Sequence, residues 1–176
     1  MERTENLRFD RAKFEFDNEQ VNVKVNLPST NMSETTFSIY VYCLHLDWQV
    51  SSVAQIINAL SQIFSEVEHL TLAHEVHSRS SEEHNEVDRT EWRQLLRSFT
   101  NLKTIRIDDG LVKELSRCLQ LEDGEDPLEL LPELQKLTYS GSSNANYRFT
   151  SFIDARRNAD RPVTLVKSKP GEFPAI

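Results

Sequence analysis

The stretch FTNLKTIRIDD, residues 99–109, decides the fold because its apolar spacing changes partway along. Phe99, Leu102 and Ile105 follow one another at intervals of three residues, whereas Ile105 and Ile107 are two residues apart. An interval of three is typical of a turning segment and an interval of two is typical of a strand. The pattern therefore predicts a chain that leaves a helix and enters a short strand.

The same spacing recurs elsewhere in the chain, which indicates an internal repeat. It is found in FSEVEHLTL, residues 64–72, and in LPELQKLTY, residues 131–139. Shorter matches occur at Ile39–Val41 and at Val163–Leu165. The predicted strands begin at positions 39, 70, 105, 137 and 163, so the repeat is irregular in length.

Helices are predicted between these strands. In SSVAQIINALSQIF, residues 51–64, apolar residues recur at three-to-four spacing behind Ser51, which can cap the first turn. In VDRTEWRQLLRSF, Asp88 can cap a helix over 89–98, with Glu91 three residues later. Two more helices are predicted in GLVKELSRCL, residues 110–119, and in SFIDARRNA, residues 151–159, the latter capped by Ser151.

Alternation of strand and helix has two common solutions, a doubly wound sheet or a solenoid. The L-x-x-L-x-x-L-x-L entry into each strand favours the solenoid. The chain has four glycines and carries no GxGxxG or P-loop, which nucleotide-binding doubly wound folds usually require. We therefore predict an α/β fold that is a short, irregular, leucine-rich-repeat-like solenoid of about five parallel strands, with helices on one face.

The first 27 residues follow a different pattern. Apolar residues alternate with polar ones from Leu7 to Val25, which predicts half-buried antiparallel strands. A polar-faced hairpin could cover the exposed end of a solenoid, so residues 1–36 are predicted to form an N-terminal antiparallel β cap. The domain prediction is a single domain over 1–168, with repeats over 37–168 and a C-terminal tail over 169–176.

Composition excludes several classes of function. The formal net charge is −8 and no long basic block is present, which argues against nucleic acid as a partner. No apolar run is long enough for a membrane helix, and the N-terminus has no apolar signal region. Cys43 and Cys118 form no CxxC motif, which fits reduced thiols. We expect an intracellular protein, cytoplasmic or nuclear, that does not bind membranes.

Four longer stretches carry a family resemblance: HLDWQVSSVAQ, EEHNEVDRTEWRQLLRSFTNLKT, DDGLVKELSRCLQLEDGEDPLELLPELQKLTYSGS and FTSFIDARRNADRPVTLV. Together they closely resemble the C-terminal, leucine-rich-repeat-like region of the expanded F-box protein family of mushroom-forming fungi, over roughly residues 45–168. The resemblance implies a receptor that brings substrates to a cullin-based ubiquitin ligase. The F-box itself, a helical module that typically opens LPxE, is absent, since residues 1–36 alternate as strands.

Several clusters suggest chemistry, and each has a simpler interpretation. His74, His77 and His84 lie in HEVHSRSSEEHNEVD, where imidazoles and carboxylates could bind a divalent metal, but the spacing and composition are more typical of a solvated loop. Cys43 and His45 could be a nucleophile and a base, although Cys43 fits better as an apolar group at a strand end. Asp108, Asp109 and LEDGEDP could hold calcium, but Asp109-Gly110 is predicted to turn the chain out of its strand. Trp48 and Trp92 are both predicted to be core residues.

The remaining candidate is the outward face of the sheet, meaning the strand side chains that alternate with the buried ones. Its predicted members are Tyr40, Tyr42, His69, Thr71, Thr104, Arg106, Asp108, Lys136, Thr138, Ser140 and Thr164. Mixed polar and aromatic residues on a rigid curved sheet suit protein recognition, although a merely solvated sheet has the same pattern. Arg106 projects between two predicted buried isoleucines, and its guanidinium could pair with a carboxylate of a partner.

We therefore expect a non-catalytic protein-interaction module that resembles the substrate-recognition region of an F-box protein and needs no cofactor. It would bind an unknown protein through the outward face. Because the F-box is absent, this chain alone is not expected to bind the ligase adaptor. The alternative is a metal-dependent enzyme that uses the loop with His74, His77 and His84.

Overall fold

The computed structural model describes residues 8–27, 37–75, 89–141 and 146–169. The strands in these ranges are β1 (Arg11–Phe16), β2 (Gln20–Asn26), β3 (Phe37–Tyr42), β4 (His69–His74), β5 (Thr104–Ile107), β6 (Lys136–Ser140) and β7 (Thr164–Ser168). The helices are α1 (Leu46–Ala59), α2 (Ser61–Phe64), α3 (Arg89–Arg97), α4 (Asp109–Leu119) and α5 (Asn146–Asn158). None of these helices has the length and apolar character needed to cross a lipid bilayer.

All the described strands form one mixed sheet in the order β3-β2-β1-β4-β5-β6-β7. The pairs β3-β2 and β2-β1 are antiparallel, and every pair from β1 to β7 is parallel. The predicted α/β class and the mostly parallel sheet are therefore confirmed. The strands predicted to begin at 70, 105, 137 and 163 begin at 69, 104, 136 and 164.

The predicted parallel repeat at Ile39–Val41 is wrong. That segment is β3, which lies at the edge of the sheet and pairs antiparallel with β2, so that Ile39 faces Val23. The parallel neighbour of β4 is β1, with Phe14 opposite Leu72. A tight turn after β1 explains why the next strand pairs antiparallel with it. The Asp17 carboxylate accepts hydrogen bonds from the backbone N–H groups of Glu19 and Gln20, so the chain reverses and β2 runs back along β1. The predicted antiparallel pairing of the N-terminal strands is confirmed for β1 and β2, and both strands are members of the sheet.

One face of the sheet is buried in regular rows. Phe14, Leu72, Ile107 and Tyr139 stand opposite one another across four strands, and all four are fully buried. A second row contains Ala12, Leu70, Ile105 and Leu137. The inward residues predicted for the three main repeats are therefore confirmed.

Aromatic contacts join the helices to this buried face. The rings of Phe16 and Trp92 have centroids 5.6 Å apart, and those of Tyr139 and Phe149 are 5.9 Å apart. Edge-on and tilted pairs at this separation are favourable for aromatic rings. Gln49 of α1 is fully buried and donates hydrogen bonds to the carbonyls of Asp17 and Cys43, at 2.8 and 2.7 Å, which ties α1 to the turns beside it.

The helix starts differ from those predicted at three places. α1 begins at Leu46, so Ser51 lies inside it, and the helical run divides at Leu60. α5 begins at Asn146 and not at the predicted Ser151, because the buried Phe149 continues the apolar stripe of the helix toward the N-terminus. Asp109 and Gly110 lie in the first turn of α4, where the Asp108 side chain caps the helix. The predicted helix at 89–98 is confirmed as α3, while its predicted cap, Asp88, lies outside the described residues.

Ion pairs attach the long connection between α4 and β6 to α3. Arg93 donates to both carboxylate oxygens of Glu125, at 2.5 and 2.9 Å, and its Nε donates to the Cys118 carbonyl at 3.1 Å. Arg89 also contacts Glu125, at 3.2 Å. The hydrogen bonds from Arg93 and from the Glu122 N–H lower the pKa of Glu125 to about 2. Bidentate arginine–carboxylate pairs of this kind fix geometry as well as charge.

The end of the same connection is held by Arg156 of α5, whose side chain is 1% exposed. Its guanidinium donates to the carbonyls of Pro127, Leu131, Pro132, Leu134 and Arg161, at 2.9 to 3.4 Å. Buried carbonyl groups need partners, and one arginine supplies them to most of a turn. These hydrogen bonds fix the segment that directly precedes β6.

Replacing Arg156 by Met should lower the free energy of unfolding by about 3 kcal/mol, because several buried carbonyls lose their donor. Arg156→Lys should lower the free energy of unfolding by less than Arg156→Met does, since a lysine has donors but cannot reach all the carbonyls. Urea unfolding followed by circular dichroism measures both values. The exposed neighbour Arg157 is the matched control, and Arg157→Met should change the free energy by less than about 0.5 kcal/mol. Equal effects of the two Met variants would contradict this role for Arg156.

Glu125→Gln should destabilise the protein near neutral pH, and the difference from wild type should shrink in acid. Folding lowers the pKa of Glu125 from 4.5 to about 2, so its contribution is present above about pH 4.5 and is lost as the pH falls toward 2. Urea midpoints of both proteins across this interval test the expectation. Glu66→Gln, at an exposed position, is the matched control for the substitution itself. A difference for Glu125→Gln that stays constant down to pH 2 would refute the assignment.

Candidate functional site

The structure brings the predicted outward residues onto one surface. Thr71, Arg106 and Thr138 form one row across β4, β5 and β6. The next row contains His69, Thr104, Lys136 and Thr164. Asp108 and Ser140 lie together beyond the first row, and the Ser140 hydroxyl donates to the Asp108 carboxylate at 2.8 Å. Tyr40 and Tyr42 belong to the same face on β3, separated from β5 by three strands.

These residues differ in their exposure to solvent. Lys136, Thr164 and the two tyrosines are exposed, while His69, Thr104, Arg106 and Asp108 are half-buried. Thr71 and Thr138 are 7% and 8% exposed, so they form the floor of the face between longer side chains. Ser140 is 2% exposed, and its predicted contact with a partner is not supported. Its short side chain is instead engaged with Asp108.

Sequence reasoning missed the part of the outward face that β1 and β2 supply. Arg11, Lys13 and Glu15 alternate with the buried residues of β1, and Lys24 does so on β2. The three β1 residues adjoin His69, Thr71 and Ala73 because β1 pairs with β4. The alternation in AKFEF and VNVKV did signal these side chains, but it gave no indication that β1 lies in the centre of the sheet.

The outward face is basic although the chain is acidic. Its described strands carry the cations Arg11, Lys13, Lys24, Arg106 and Lys136, whereas Glu15 and the adjoining Asp108 are its acidic residues. The chain as a whole has a formal net charge of −8. Charge is thus segregated, with positive charge concentrated on this surface.

Glu15 is already paired within the face. Its carboxylate lies 2.6 Å from Lys13 and 2.5 Å from Lys24. Burial alone would raise the pKa of Glu15, but the hydrogen bonds from the two lysines outweigh burial and lower it. Glu15 therefore stays ionised at neutral pH and does not compensate more distant cations.

Arg106 and Lys136 differ from the other cations of this face. In the ranges that the structure describes, neither side chain forms a hydrogen bond or an ion pair. Arg106 stands opposite Thr138, and Lys136 stands opposite Thr104, so the two cations are diagonal neighbours on adjacent strands. Ordinary sheet spacings place their Cα atoms roughly 8 Å apart.

His69 lies beside this pair and contributes no charge at neutral pH. Its Nδ1 and the Thr104 hydroxyl are 2.7 Å apart. Burial lowers the pKa of His69, and the positive charge of Arg11 lowers it further. The positive charge at the centre of the face therefore comes mainly from Arg106 and Lys136.

Exposed large side chains cluster in sequence on β3 and on the segment that follows it, and Tyr40 and Tyr42 are the two that belong to the outward face. Large exposed residues here are Phe37, Tyr40, Tyr42, Leu44 and Trp48. The prediction that both tryptophans are core residues is right for Trp92, which is fully buried, and wrong for Trp48, which is 59% exposed. Trp48 lies in the first turn of α1 against the ring of His45, at a centroid distance of 5.0 Å, outside the helix stripe that enters the core. Exposed aromatic clusters of this kind are typical of interaction surfaces.

The other candidate sites are placed as follows. His74 is 8% exposed at the end of β4, on the side of the buried rows, whereas His77 and His84 lie outside the described residues. Within the described ranges, no group of three His, Cys, Asp or Glu side chains could hold a metal ion. The metal-dependent alternative stays a prediction. Cys43 directly follows β3, and its sulfur lies 3.9 Å from the Ser52 hydroxyl. Glu125 of the acidic run is paired with arginine.

Comparison of the chain with protein-family models, with curated proteins and with solved structures finds no match.

The proton NMR titration of His69 should have a midpoint below 6.5, because burial and Arg11 both disfavour its charged form. The Cε1–H chemical shift reports this directly. Replacing Arg11 by Gln should raise the midpoint toward 6.5 without fully restoring it, since the burial remains. A wild-type midpoint at or above 6.5 would show that His69 adds to the positive charge of the face.

Proposed function

We propose that the chain is a non-catalytic protein-interaction module whose outward face binds a partner protein. The observation that carries this proposal is the polar, basic and partly exposed sheet surface that contains Arg106 and Lys136, with exposed tyrosines on β3. Arginine and tyrosine are enriched among the residues that dominate binding energy at protein interfaces. The backbone beneath them is fixed by sheet hydrogen bonds, so little conformational entropy is lost when a partner binds.

The arrangement of the elements supports a short leucine-rich-repeat-like solenoid. α1 packs beside α3, α3 beside α4, and α4 beside α5, in the order in which the chain presents them. The parallel strands β4 to β7 follow the same order. Each strand and its helix thus act as one unit that contacts its neighbours, which is the general plan of solenoid proteins. Proteins of this plan use the surface of the stacked strands to bind other proteins.

The resemblance to F-box substrate-recognition regions supports a specific role. We infer that the chain recognises a protein destined for ubiquitination, in the cytoplasm or the nucleus, without nucleic acid or a cofactor. β1 and β2 occupy places inside the sheet, so these residues are not available to form the helices of an F-box. Recruitment of the ligase would accordingly need another polypeptide segment.

Partner binding should be lost in a double variant, Tyr40→Ser with Tyr42→Ser, since both rings are exposed at the border of the outward face. Tyr147→Ser is the matched control, because Tyr147 is a similarly exposed tyrosine on α5. Quantitative affinity purification from the native cell should recover the same partner with wild type and with the control. The double variant should recover it at least about fivefold less. Equal recovery by all three proteins, or no partner above an untagged control, would refute the proposal.

The purified chain should not capture the purified F-box adaptor, because the helical adaptor-binding module is replaced by strands in the described N-terminal region. A pull-down at micromolar concentrations, with an intact F-box protein as the positive control, tests this. One-to-one capture of the adaptor by the chain would show that it contacts the ligase through an unrecognised surface.

A further inference from the structure

We propose that the outward face recognises an extended acidic segment of the partner, whose carboxylates bind Arg106 and Lys136. This inference rests on the proposed function and adds the chemistry of the ligand. It starts from two neighbouring cations that have no partner within the described part of an acidic protein.

The lack of partners is informative because the chain has a surplus of acids. It contains 28 aspartates and glutamates against 20 lysines and arginines, so a cation generally has an acid within reach. On α3, Arg93 is paired with Glu125 and Arg97 with Glu129. On α5, Arg157 is paired with Asp154. Among the described residues Arg106 and Lys136 have no such acidic partner, which makes their surface complementary to an anionic ligand.

The surroundings of Arg106 strengthen its interaction with a carboxylate. Its side chain is half-buried between Thr71 and Thr138, which lie on either side of it in the same row and are nearly buried. Partial burial reduces screening by water, and the planar guanidinium can bind a carboxylate through two parallel hydrogen bonds. The short side chains of Thr71 and Thr138 form the floor of the face beside Arg106.

The separation of the two cations fits alternate residues of an extended peptide. In an extended chain, side chains at positions i and i+2 point the same way and lie about 6.7 Å apart. Sheet geometry places the Cα atoms of Arg106 and Lys136 roughly 8 Å apart, and flexible side chains cover the difference. Two acidic residues separated by one residue would therefore engage both cations at once.

A protein segment fits the face better than a nucleic acid. Nucleic acid binding typically uses many cations along a continuous basic track. Here the row next to that of Arg106 carries the carboxylates of Glu15 and Asp108, so the basic surface is not continuous, and the whole chain is negative. A pair of cations bounded by carboxylates selects a short, locally acidic ligand and repels a uniformly charged polymer.

The test uses a fluorescent peptide of five Glu-Ser repeats, with Gln-Ser and Lys-Ser repeats of the same length as controls. Anisotropy at moderate salt should show binding of the Glu-Ser peptide alone. Arg106→Ala and Lys136→Ala should each weaken binding at least about threefold, and the double variant at least about tenfold. Arg157→Ala removes the same charge from the helix layer and should change affinity less than about twofold. Arg106→Glu with Lys136→Glu should bind the Lys-Ser peptide instead.

Three outcomes would overturn the inference. The first is equal affinity for the Glu-Ser and Gln-Ser peptides, and the second is an equal loss in Arg157→Ala and Arg106→Ala. The third is tighter, Arg106-dependent binding of a single-stranded RNA decamer, which would identify a nucleic acid site. Unchanged circular dichroism spectra and unfolding midpoints confirm that each variant is folded.

The inference and the proposed function fail in different ways. If the partner is lost with the Tyr40 and Tyr42 variant but no acidic peptide binds, the outward face is an interface whose ligand is not acidic. If the partner is retained by that variant and by the Arg106 variant, the proposed function itself is wrong.

Discussion

The structure depends on the two-residue alternation of side chains along its strands, which separates the sheet into two unlike faces. Residues such as Phe14, Leu72 and Ile107 meet in rows on one face and are removed from water by the helices. Their sequence neighbours must then point the other way, because successive strand residues point to opposite sides of a sheet. A shift of one residue would bury Arg106 if it occurred in β5 and Lys13 if it occurred in β1, so the apolar rows fix the position of the polar groups on the outward face.

Contacts outside the sheet place the strands that carry this face. The connection between α4 and β6 is long, and it is held at one end by Arg93 with Glu125 and at the other by Arg156. Leu131 within it has a φ of 54°, which is unfavourable for a residue other than glycine. Arg156 stabilises this conformation because its guanidinium donates a hydrogen bond to the Leu131 carbonyl. These contacts set β6 beside β5, and only that register puts Lys136 next to Thr104 and diagonal to Arg106. Stability of the helix layer and geometry of the candidate site are therefore linked.

The repeated apolar spacing was sufficient to predict four parallel strands, their buried residues and the outward direction of Arg106. It was not sufficient to place β1 and β3, because pairing between strands that are distant in sequence depends on which edges remain free after the local turns form. Trp48 was misplaced because a helix stripe does not define where the first turn begins. The absence of partners for Arg106 and Lys136 among the described residues is also a property of three-dimensional neighbours, and no local sequence pattern reports it.

The central claim is that the outward face, and not the helix layer, contacts the partner. The most direct measurement is site-specific photo-crosslinking in the native cell, with a benzophenone amino acid in place of Tyr40 or, separately, of Tyr147. Both side chains are exposed, at 53% and 69%, but the first lies on the sheet and the second on α5. The account predicts a discrete crosslinked partner from position 40 and none from position 147. A partner captured from position 147 and not from position 40 would contradict it.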